Sequence, residues 1–153
     1  MKKLDWTEHM GDLIYKGDWV YNWFSNMIPF KEPLIHQDIK YYSVENFYQA
    51  MKLNEKDLEG RKMIASLDPH KSKRVIRKLQ MRDNWTLEAG IRIMEKALRH
   101  KWNQEPHKTQ LINSEPMIIE WNNWNDKFWG VHCVTGKGFN NLGLLLMKIK
   151  QEL

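Results

Sequence analysis

The segment from Ser43 to Lys52 constrains the fold more than any other part of the chain. A serine before this run is typical of a helix start, because its oxygen can accept a hydrogen bond from the exposed amides of the first turn. In such a helix Glu45, Gln49 and Lys52 lie at positions i, i+4 and i+7 and share one face, while the apolar residues between them can pack inward. Taken alone, this pattern favours a salt-bridge ladder on the surface; a functional face is the alternative.

Helical patterns account for most of the remaining chain. A short helix is predicted from Asp57 to Ser66. Asp68-Pro69 then opens a basic helix to about Lys78, because proline at the first helical position needs no amide donor. Thr86 caps the longest helix. Its apolar stripe has helical spacing and comprises Leu87, Ile91, Met94, Leu98 and Trp102.

Strand patterns are shorter and weaker. Residues 33–42 predict a hairpin that turns at Gln37-Asp38 and leads into the helix that follows. Residues 1–18 are interpreted as a strand or coil, and residues 117–121 as a brief strand. Residues 122–139 show no period and predict a long loop, which in a compact domain is usually functional.

The chain ends in a further predicted helix, after Pro106 and a shorter helix to about Asn113. The apolar stripe of the last helix comprises Leu142, Leu145, Leu146, Ile149 and Leu153. A length of 153 residues with 42% apolar content is enough for one globular core. The sequence therefore predicts a single domain, residues 1–153, of α+β class, predominantly helical with a few short strands.

The charge balance favours a polyanionic partner. The net charge is +5, and such an excess of positive charge attracts nucleic acid or a pyrophosphate-bearing ligand. The cations are densest over twelve positions, at Lys71, Lys73, Arg74, Arg77, Lys78 and Arg82. A solvated helix face explains this cluster as well as a binding surface does, and both interpretations remain open.

The cysteine and histidine pattern argues against a disulfide framework and a metal site. Cys133 is the only cysteine, and the six histidines lack the spacing of a zinc site, so no metal and no cofactor is expected. No apolar run approaches the roughly 20 residues of a membrane span, and the N-terminus lacks an apolar signal-peptide core. A cytoplasmic location without membrane contact is the expectation.

A glycine-rich stretch precedes the last predicted helix. Gly136 and Gly138 permit close backbone approach and positive φ. The free amides and the dipole of a helix N-terminus suit an anion such as phosphate. The spacing is not that of a Walker or Rossmann phosphate-binding loop, so an ordinary connection into the helix is the favoured interpretation.

Six motifs, taken in order, resemble those of the NADAR (YbiA-like) family over about residues 20–153. Phe24-Ser25-Asn26 stands where the family has F-S-N, and residues 45–52 match its E-H-x-x-Q-A-x-K. Residues 77–85 match G-R, L-R and D-W, and residues 94–102 match V-M-x-x-A-L-x-x-K-F. Residues 126–130 match D-x-x-W-G, and residues 138–143 match G-x-N-x-L-G. Three positions depart from the pattern: Asn46 replaces a His, Ile76 replaces a Gly, and Val131-His132-Cys133 replaces a stretch that often contains Gly.

The resemblance implies an N-glycosidase that acts on ribose attached to nitrogen, with ADP-ribose joined to guanine in nucleic acid as its substrate. A DNA ADP-ribosyltransferase toxin is then the functional counterpart. Cleavage of phosphoribosyl intermediates of riboflavin biosynthesis is one alternative, and a non-catalytic module that binds ADP-ribose or nucleic acid is another.

The catalytic residues implied by the resemblance are Glu45, Lys52 and Asp126. A carboxylate at Glu45 would stabilise positive charge on the sugar and position water. Lys52 would either attack the anomeric carbon to form a Schiff base or only orient Glu45. Asp126 would hold ribose hydroxyls or activate water.

Eleven further positions are implied to bind substrate. Arg77, Arg82 and Lys137 are candidates for the pyrophosphate, since guanidinium groups match phosphate oxygens. Trp129 would wall the sugar or stack on the base, although plain core packing explains it nearly as well. The remaining positions are Phe24, Ser25, Asn26, Tyr48, Gln49, Gly130 and Asn140.

Overall fold

A computed structural model describes residues 24–153 and, at the level of the backbone, residues 4–5. The described residues fall into two compact units. The helical unit is Asn26–Lys108. The C-terminal unit is Thr109–Leu153 with residues 4–5 and 24–25. Most of the predicted strand or coil at residues 1–18 lies outside the described residues.

A two-stranded hairpin opens the helical unit. Strands β2 (Leu34–His36) and β3 (Ile39–Tyr41) pair antiparallel, with Ile35 opposite Lys40. Gln37 and Asp38 both have positive φ, 53° and 59°, as a two-residue hairpin turn requires. The predicted hairpin is confirmed.

Helix α1 (Val44–Ala50) follows directly, and all seven of its residues are buried. The predicted cap is confirmed, because the Ser43 oxygen accepts a hydrogen bond from the amide of Asn46 at 3.0 Å. The helix is surrounded by the three other long helical segments of the unit, which explains why no face of it meets solvent.

Lys52 lies beyond the end of α1, so the prediction that it shares a helical face with Glu45 and Gln49 needs correction. The helix ends at Ala50, and Met51 is its C-cap. The amide of Lys52 then donates to the carbonyl of Gln49, three residues back, at 3.2 Å. The chain has therefore tightened into a turn before Lys52, as often happens at helix ends.

Three further helices follow, and the caps predicted at Asp68 and Thr86 are confirmed, while Asp57, expected as the first helical residue, is itself an N-cap. Helix α2 spans Leu58–Ser66 behind Asp57, and helix α3 spans Pro69–Val75 behind Asp68. A single 3₁₀ turn, Ile76–Lys78, completes the predicted basic helix. Helix α4 spans Leu87–Trp102, and the Thr86 oxygen accepts from the amide of Ala89 at 3.1 Å.

The apolar stripe of α4 is only partly correct. Met94, Leu98 and Trp102 are buried as predicted, whereas Leu87 is 64% exposed. Leu87 is the first residue of the helix and is exposed together with Glu88, whereas Ala89 and Gly90 of the same turn are buried. Helix α5 (His107–Ile112) follows Pro106, close to the predicted bounds.

The C-terminal unit is built on a four-stranded sheet whose strands are only two residues long. Its order is β1 (Leu4–Asp5), β6 (Lys137–Gly138), β5 (Val131–His132) and β4 (Trp121–Asn122). The pair β4–β5 is parallel and the other two pairs are antiparallel.

Two predictions for this unit are wrong. The strand expected at residues 117–121 begins only at Trp121, and the stretch expected to be one long loop holds β5, β6 and the second residue of β4. Strands of two residues contain no alternation of apolar and polar positions, so the pattern that reveals longer strands is missing.

Helix α6 (Asn141–Gln151) ends the chain and confirms the last predicted helix. Its buried apolar residues are Leu142, Leu145, Leu146 and Ile149, while Leu153 lies past its C-terminus. The predominantly helical α+β fold is thus confirmed. In the part of the chain that the structure describes, no helix is long and apolar enough to cross a membrane.

Candidate functional site

A buried carboxylate–amide pair forms the centre of the candidate site in the helical unit. Glu45 is only 6% exposed and Gln49 only 3%. The Nε2 amide of Gln49 donates to Glu45 Oε1 at 2.7 Å across one turn of α1. The surface salt-bridge ladder, which the segment alone favours, is therefore wrong for these two residues.

Two buried oxygens beside this pair make no hydrogen bond within the described residues. One is Gln49 Oε1, which points away from Glu45 because the amide nitrogen must face the carboxylate. The other is Asn26 Oδ1. The backbone carbonyl of Asn26 accepts the amide of Glu45 at 3.1 Å, so Asn26 lies at the start of α1. Buried oxygens without donors are costly and call for an explanation; a ligand that supplies hydroxyl or amide hydrogens is one.

Two cationic and two aromatic side chains of the helical unit form a chain of contacts. The Lys52 ammonium lies 4.9 Å from the ring centre of Tyr48, and Tyr48 meets Trp85 edge to face at 5.6 Å. The Arg82 guanidinium lies 5.4 Å from the Trp85 ring. The amide of Arg82 donates to the carbonyl of Lys52 at 2.8 Å, which fixes the two chain segments side by side.

The family departure at Asn46 has a structural consequence. The buried Asn46 amide donates to the carbonyls of Ile64 and Leu67 at 2.8 and 2.9 Å, and its oxygen lies 2.5 Å from the Ser43 hydroxyl. Asn46 therefore ties the start of α1 to the end of α2. In this chain the side chain of Asn46 therefore has a structural role.

Asp126 organises the motif loop of the C-terminal unit. Its Oδ1 accepts hydrogen bonds from the amides of Phe128 and Trp129 at 3.0 and 2.9 Å. Asn122 braces the same turn by bonding the Asp126 backbone in both directions. Asp126 Oδ2 makes no hydrogen bond with a described residue, so one carboxylate oxygen is available to a ligand.

Asn140 and Gly130 hold the same loop in place. Asn140 is fully buried with φ of 53°; its oxygen accepts from the amide of Glu120 and its nitrogen donates to the carbonyl of Ile118, both at 2.9 Å. A Cβ at Gly130 would overlap the Glu120 carbonyl oxygen. These contacts give both residues a structural role, and their contact with substrate stays a prediction.

The anion site considered for the start of α6 is wrong. The amides of Asn140, Asn141 and Leu142 donate to the carbonyls of residues 130, 128 and 129 at 3.0–3.3 Å. Because these amides are already satisfied, they are not offered to a phosphate. The ordinary connection into the helix, which the sequence favours, is what the structure has.

The remaining predicted residues differ in exposure. Arg77 is exposed in the 3₁₀ turn, Arg82 is half-buried, and Lys137 is exposed on β6. Phe24 is buried and Ser25 half-buried. The helical unit thus contains Asn26, Glu45, Tyr48, Gln49, Lys52, Arg77 and Arg82, and the C-terminal unit contains Phe24, Ser25, Asp126, Trp129, Gly130, Lys137 and Asn140.

Trp85 was not predicted as a site residue, and neither was a cleft of about 290 Å³ in the helical unit. We call it the cationic cleft. Its charged and polar lining comprises His36, Gln37, Glu55, Arg61, Arg82, Arg92 and Lys96. Its apolar lining comprises Phe47, Met51, Ala89 and Ile93. The spacing of Arg92 and Lys96, one helical turn apart, is the signal that could have indicated it.

No group of three or more histidine, cysteine or acidic side chains among the described residues could hold a metal ion.

Comparison with known proteins assigns this arrangement to a family. A family model described as the NADAR domain matches residues 13–153. The N-glycosidase YbiA of Escherichia coli (strain K12) is 34% identical over 113 residues, which cover 71% of this chain and 68% of that protein. The riboflavin biosynthesis protein PYRR, chloroplastic, of Zea mays is 27% identical over 154 residues, which cover 91% of this chain and 24% of that protein.

Structural comparison agrees. The NMR structure of the Escherichia coli protein YbiA matches with a TM-score of 0.70 and 28% sequence identity. The match covers 86% of this chain and 77% of that one.

Proposed function

Because the chain belongs to the NADAR family, we propose that it is an N-glycosidase that hydrolyses the bond between ADP-ribose and a guanine base in nucleic acid. The class of reaction is supported by the similarity to YbiA, whose name is that of an N-glycosidase. The observation that carries the proposal is the buried Glu45–Gln49 pair with two unpaired oxygens beside it.

The chemistry of this pair suits cleavage at an anomeric carbon. Breaking the C–N bond builds positive charge on the sugar, and a carboxylate at Glu45 stabilises that charge and positions a water molecule. Gln49 holds the carboxylate in one orientation. The unpaired oxygens of Gln49 and Asn26 can accept hydrogen bonds from ribose hydroxyls, which would fix the sugar against Glu45.

Two alternative roles are proposed for Lys52. In the first, the ring of the N-linked ribose opens to an iminium ion at its anomeric carbon. The neutral Lys52 amine adds to that carbon, and the guanine amine leaves with a proton. Water then resolves the lysine Schiff base, releasing ADP-ribose and the amine. In the second, Lys52 stays protonated and orients Glu45.

The other predicted residues supply binding. Arg77 and Lys137 are proposed for the pyrophosphate, whereas Arg82, the third candidate from the sequence, lines the cationic cleft. Tyr48 with Trp85 offers aromatic surface for a base. In the C-terminal unit, Asp126 Oδ2 is proposed to accept a ribose hydroxyl or to activate water, and Trp129 to contact the sugar. A DNA ADP-ribosyltransferase would supply the substrate.

A second candidate is cleavage of a phosphoribosyl intermediate of riboflavin biosynthesis. It is favoured by the similarity to the maize riboflavin biosynthesis protein over 91% of this chain. This substrate carries one phosphate and no adenosine, so the two candidates differ in the size of the group beyond the ribose.

The deciding experiment uses a DNA oligonucleotide that carries ADP-ribose on guanine, with the mass of the adduct as the readout. We expect the wild-type protein to restore the unmodified mass and Glu45→Gln to lose the activity. Glu59→Gln, at an exposed position on α2, is the matched control and should remain active.

Two results would contradict this proposal. Full activity in Glu45→Gln would remove Glu45 from the chemistry. Absence of turnover in the wild-type protein would favour the riboflavin intermediate if that compound is cleaved. If neither is cleaved while ADP-ribose still binds, the non-catalytic binding module would be favoured.

A further inference from the structure

The cationic cleft lies on a different face of α1 from the Glu45–Gln49 pair. Phe47 and Met51 line the cleft, and each lies two positions after a member of the pair. Two positions correspond to about 200° around a helix axis. The cleft and the pair therefore occupy nearly opposite faces of the same helix.

Three elements bring four positively charged side chains to the cleft. Arg61 comes from α2, Arg82 from the segment before α4, and Arg92 and Lys96 from one face of α4. Glu55 is the only carboxylate among the lining residues. No ion pair joins any of the four cations to a carboxylate among the described residues.

The arginines show unmet hydrogen-bonding capacity. Arg61 is 1% exposed; its terminal nitrogens donate to Gln37 Oε1 at 2.6 Å and to the carbonyl of Leu53 at 3.0 Å. The Nε atoms of Arg61 and Arg82 are both buried and make no hydrogen bond within the described residues. Guanidinium groups held in this way are typical of sites that receive a phosphate or carboxylate.

The cations of the cleft lie close enough to affect one another. Burial lowers the pKa of Arg61 and the charge of Arg82 lowers it further, while Tyr41, Glu55 and Asp57 act in the opposite direction. His36, whose Nδ1 lies 3.4 Å from the Lys96 ammonium, has a pKa lowered by burial, by Lys96 and by Arg61. An anion would relieve the repulsion among these cations.

We propose that the cationic cleft is a second binding site, which takes the phosphate group of a phosphorylated ligand. Arginine and lysine hold the phosphate, while Met51, Ala89 and Ile93 offer an apolar wall to the organic part of the ligand. The volume of about 290 Å³ is at the lower end for small-molecule pockets, so it suits one small group. That phosphate can belong to a free small molecule or to a polynucleotide backbone.

The test measures binding of inorganic pyrophosphate by calorimetry at low salt. Arg92→Gln combined with Lys96→Gln removes two exposed cations of the cleft, and we expect pyrophosphate binding to weaken about 10- to 100-fold. Arg74→Gln combined with Lys78→Gln removes the same charge from exposed positions outside the cleft and should leave binding within about twofold.

A second readout locates the ligand. Pyrophosphate should raise the pKa of His36, followed by NMR, because the anion offsets Lys96, Arg61, Arg82 and Arg92. An unchanged His36 pKa, or equal weakening in the two double variants, would overturn the proposal. So would an absence of pyrophosphate binding at millimolar concentration.

Two further titrations identify the source of the phosphate. A nucleoside 5′-diphosphate that binds more tightly than pyrophosphate, and loses affinity in the cleft variant, indicates a small molecule. For a single-stranded oligonucleotide, the salt dependence of the binding constant reports how many counterions are released on binding. If the cleft variant releases up to about two fewer counterions than the wild type, the cleft binds the phosphates of a polynucleotide backbone. Both comparisons are made in the Glu45→Gln background, so that neither depends on glycosidase activity.

Discussion

The two units use their motif residues in opposite ways. Around Glu45 and Gln49 in the helical unit, buried polar atoms are left without partners. Around Asp126 and Asn140 in the C-terminal unit, nearly every polar group of the motif is bonded to the backbone. Motifs that resemble those of one family are thus built differently in the two units, and their hydrogen-bond partners show the difference.

The largest effect is expected for Glu45→Gln. Turnover should fall about 10²- to 10³-fold, because the charge that stabilises the sugar cation is lost. Stability should barely change, since glutamine has the same shape and can still accept from Gln49. Steady-state kinetics measures the loss of turnover, and a thermal melt measures the stability. A melting temperature lowered by many degrees would show that Glu45 has a structural role.

Asn140→Ala should mainly lower the stability of the protein, in contrast to Glu45→Gln, which should mainly lower turnover. It removes two buried hydrogen bonds and leaves the amide of Glu120 and the carbonyl of Ile118 unpaired, at a cost of about 2–4 kcal/mol in unfolding free energy. Denaturant unfolding measures this, with the exposed Asn123→Ala as control. If Asn140→Ala is as stable as Asn123→Ala, the hydrogen bonds of Asn140 do not stabilise the C-terminal unit, and the proposed contrast between the two units is wrong.

Lys101 provides a pH-dependent test in the helical unit. Its side chain is fully buried on α4, and burial lowers its pKa from 10.5 to about 7. The unfolded chain therefore holds a proton that the folded chain has released between pH 7 and 10.5, so stability should rise with pH across this window.

The expected gain from pH 7 to pH 9 is about 2–3 kcal/mol, since each pKa unit corresponds to about 1.4 kcal/mol. Lys101→Met should flatten this rise in denaturant unfolding followed at several pH values. If wild type and variant show the same slope, Lys101 keeps its proton in the folded protein.

The smallest and most discriminating effect is expected for Asn26→Leu. It deletes a buried oxygen that has no partner among the described residues, together with an Nδ2 group whose hydrogen bond to Met94 Sδ is long, at 3.7 Å. The melting temperature should therefore stay nearly the same. Substrate should bind about tenfold more weakly if that oxygen accepts a ribose hydroxyl. A rise in KM with unchanged kcat would fit this role, whereas a destabilised protein with normal KM would not.

The sequence predicted the helical unit far better than the C-terminal unit. The caps at Ser43, Asp68 and Thr86 are local signals, since each serves amides two or three residues away. The two-residue strands of the C-terminal unit are held by pairing with distant segments, which no local pattern contains.

The candidate site shows the same limit. Glu45 and Gln49 lie one turn apart on one helix, so their contact could be predicted. The cationic cleft draws Arg61, Arg82 and Lys96 from separate elements, and only the tertiary fold brings them together. The position of the Lys52 side chain depends on the residue at which α1 ends, and the sequence pattern does not fix the end of a helix to within one turn.

The hydrogen bonds between the start of α6 and the carbonyls of residues 128–130 couple the Trp129 loop to the helix. The loop cannot swing away from the helix without breaking three of them together. Amide hydrogen exchange at Asn140, Asn141 and Leu142 would therefore report the opening of the whole loop, with one shared protection factor. A ligand that orders Trp129 would slow the exchange of all three amides equally. This change can be measured without knowing the substrate.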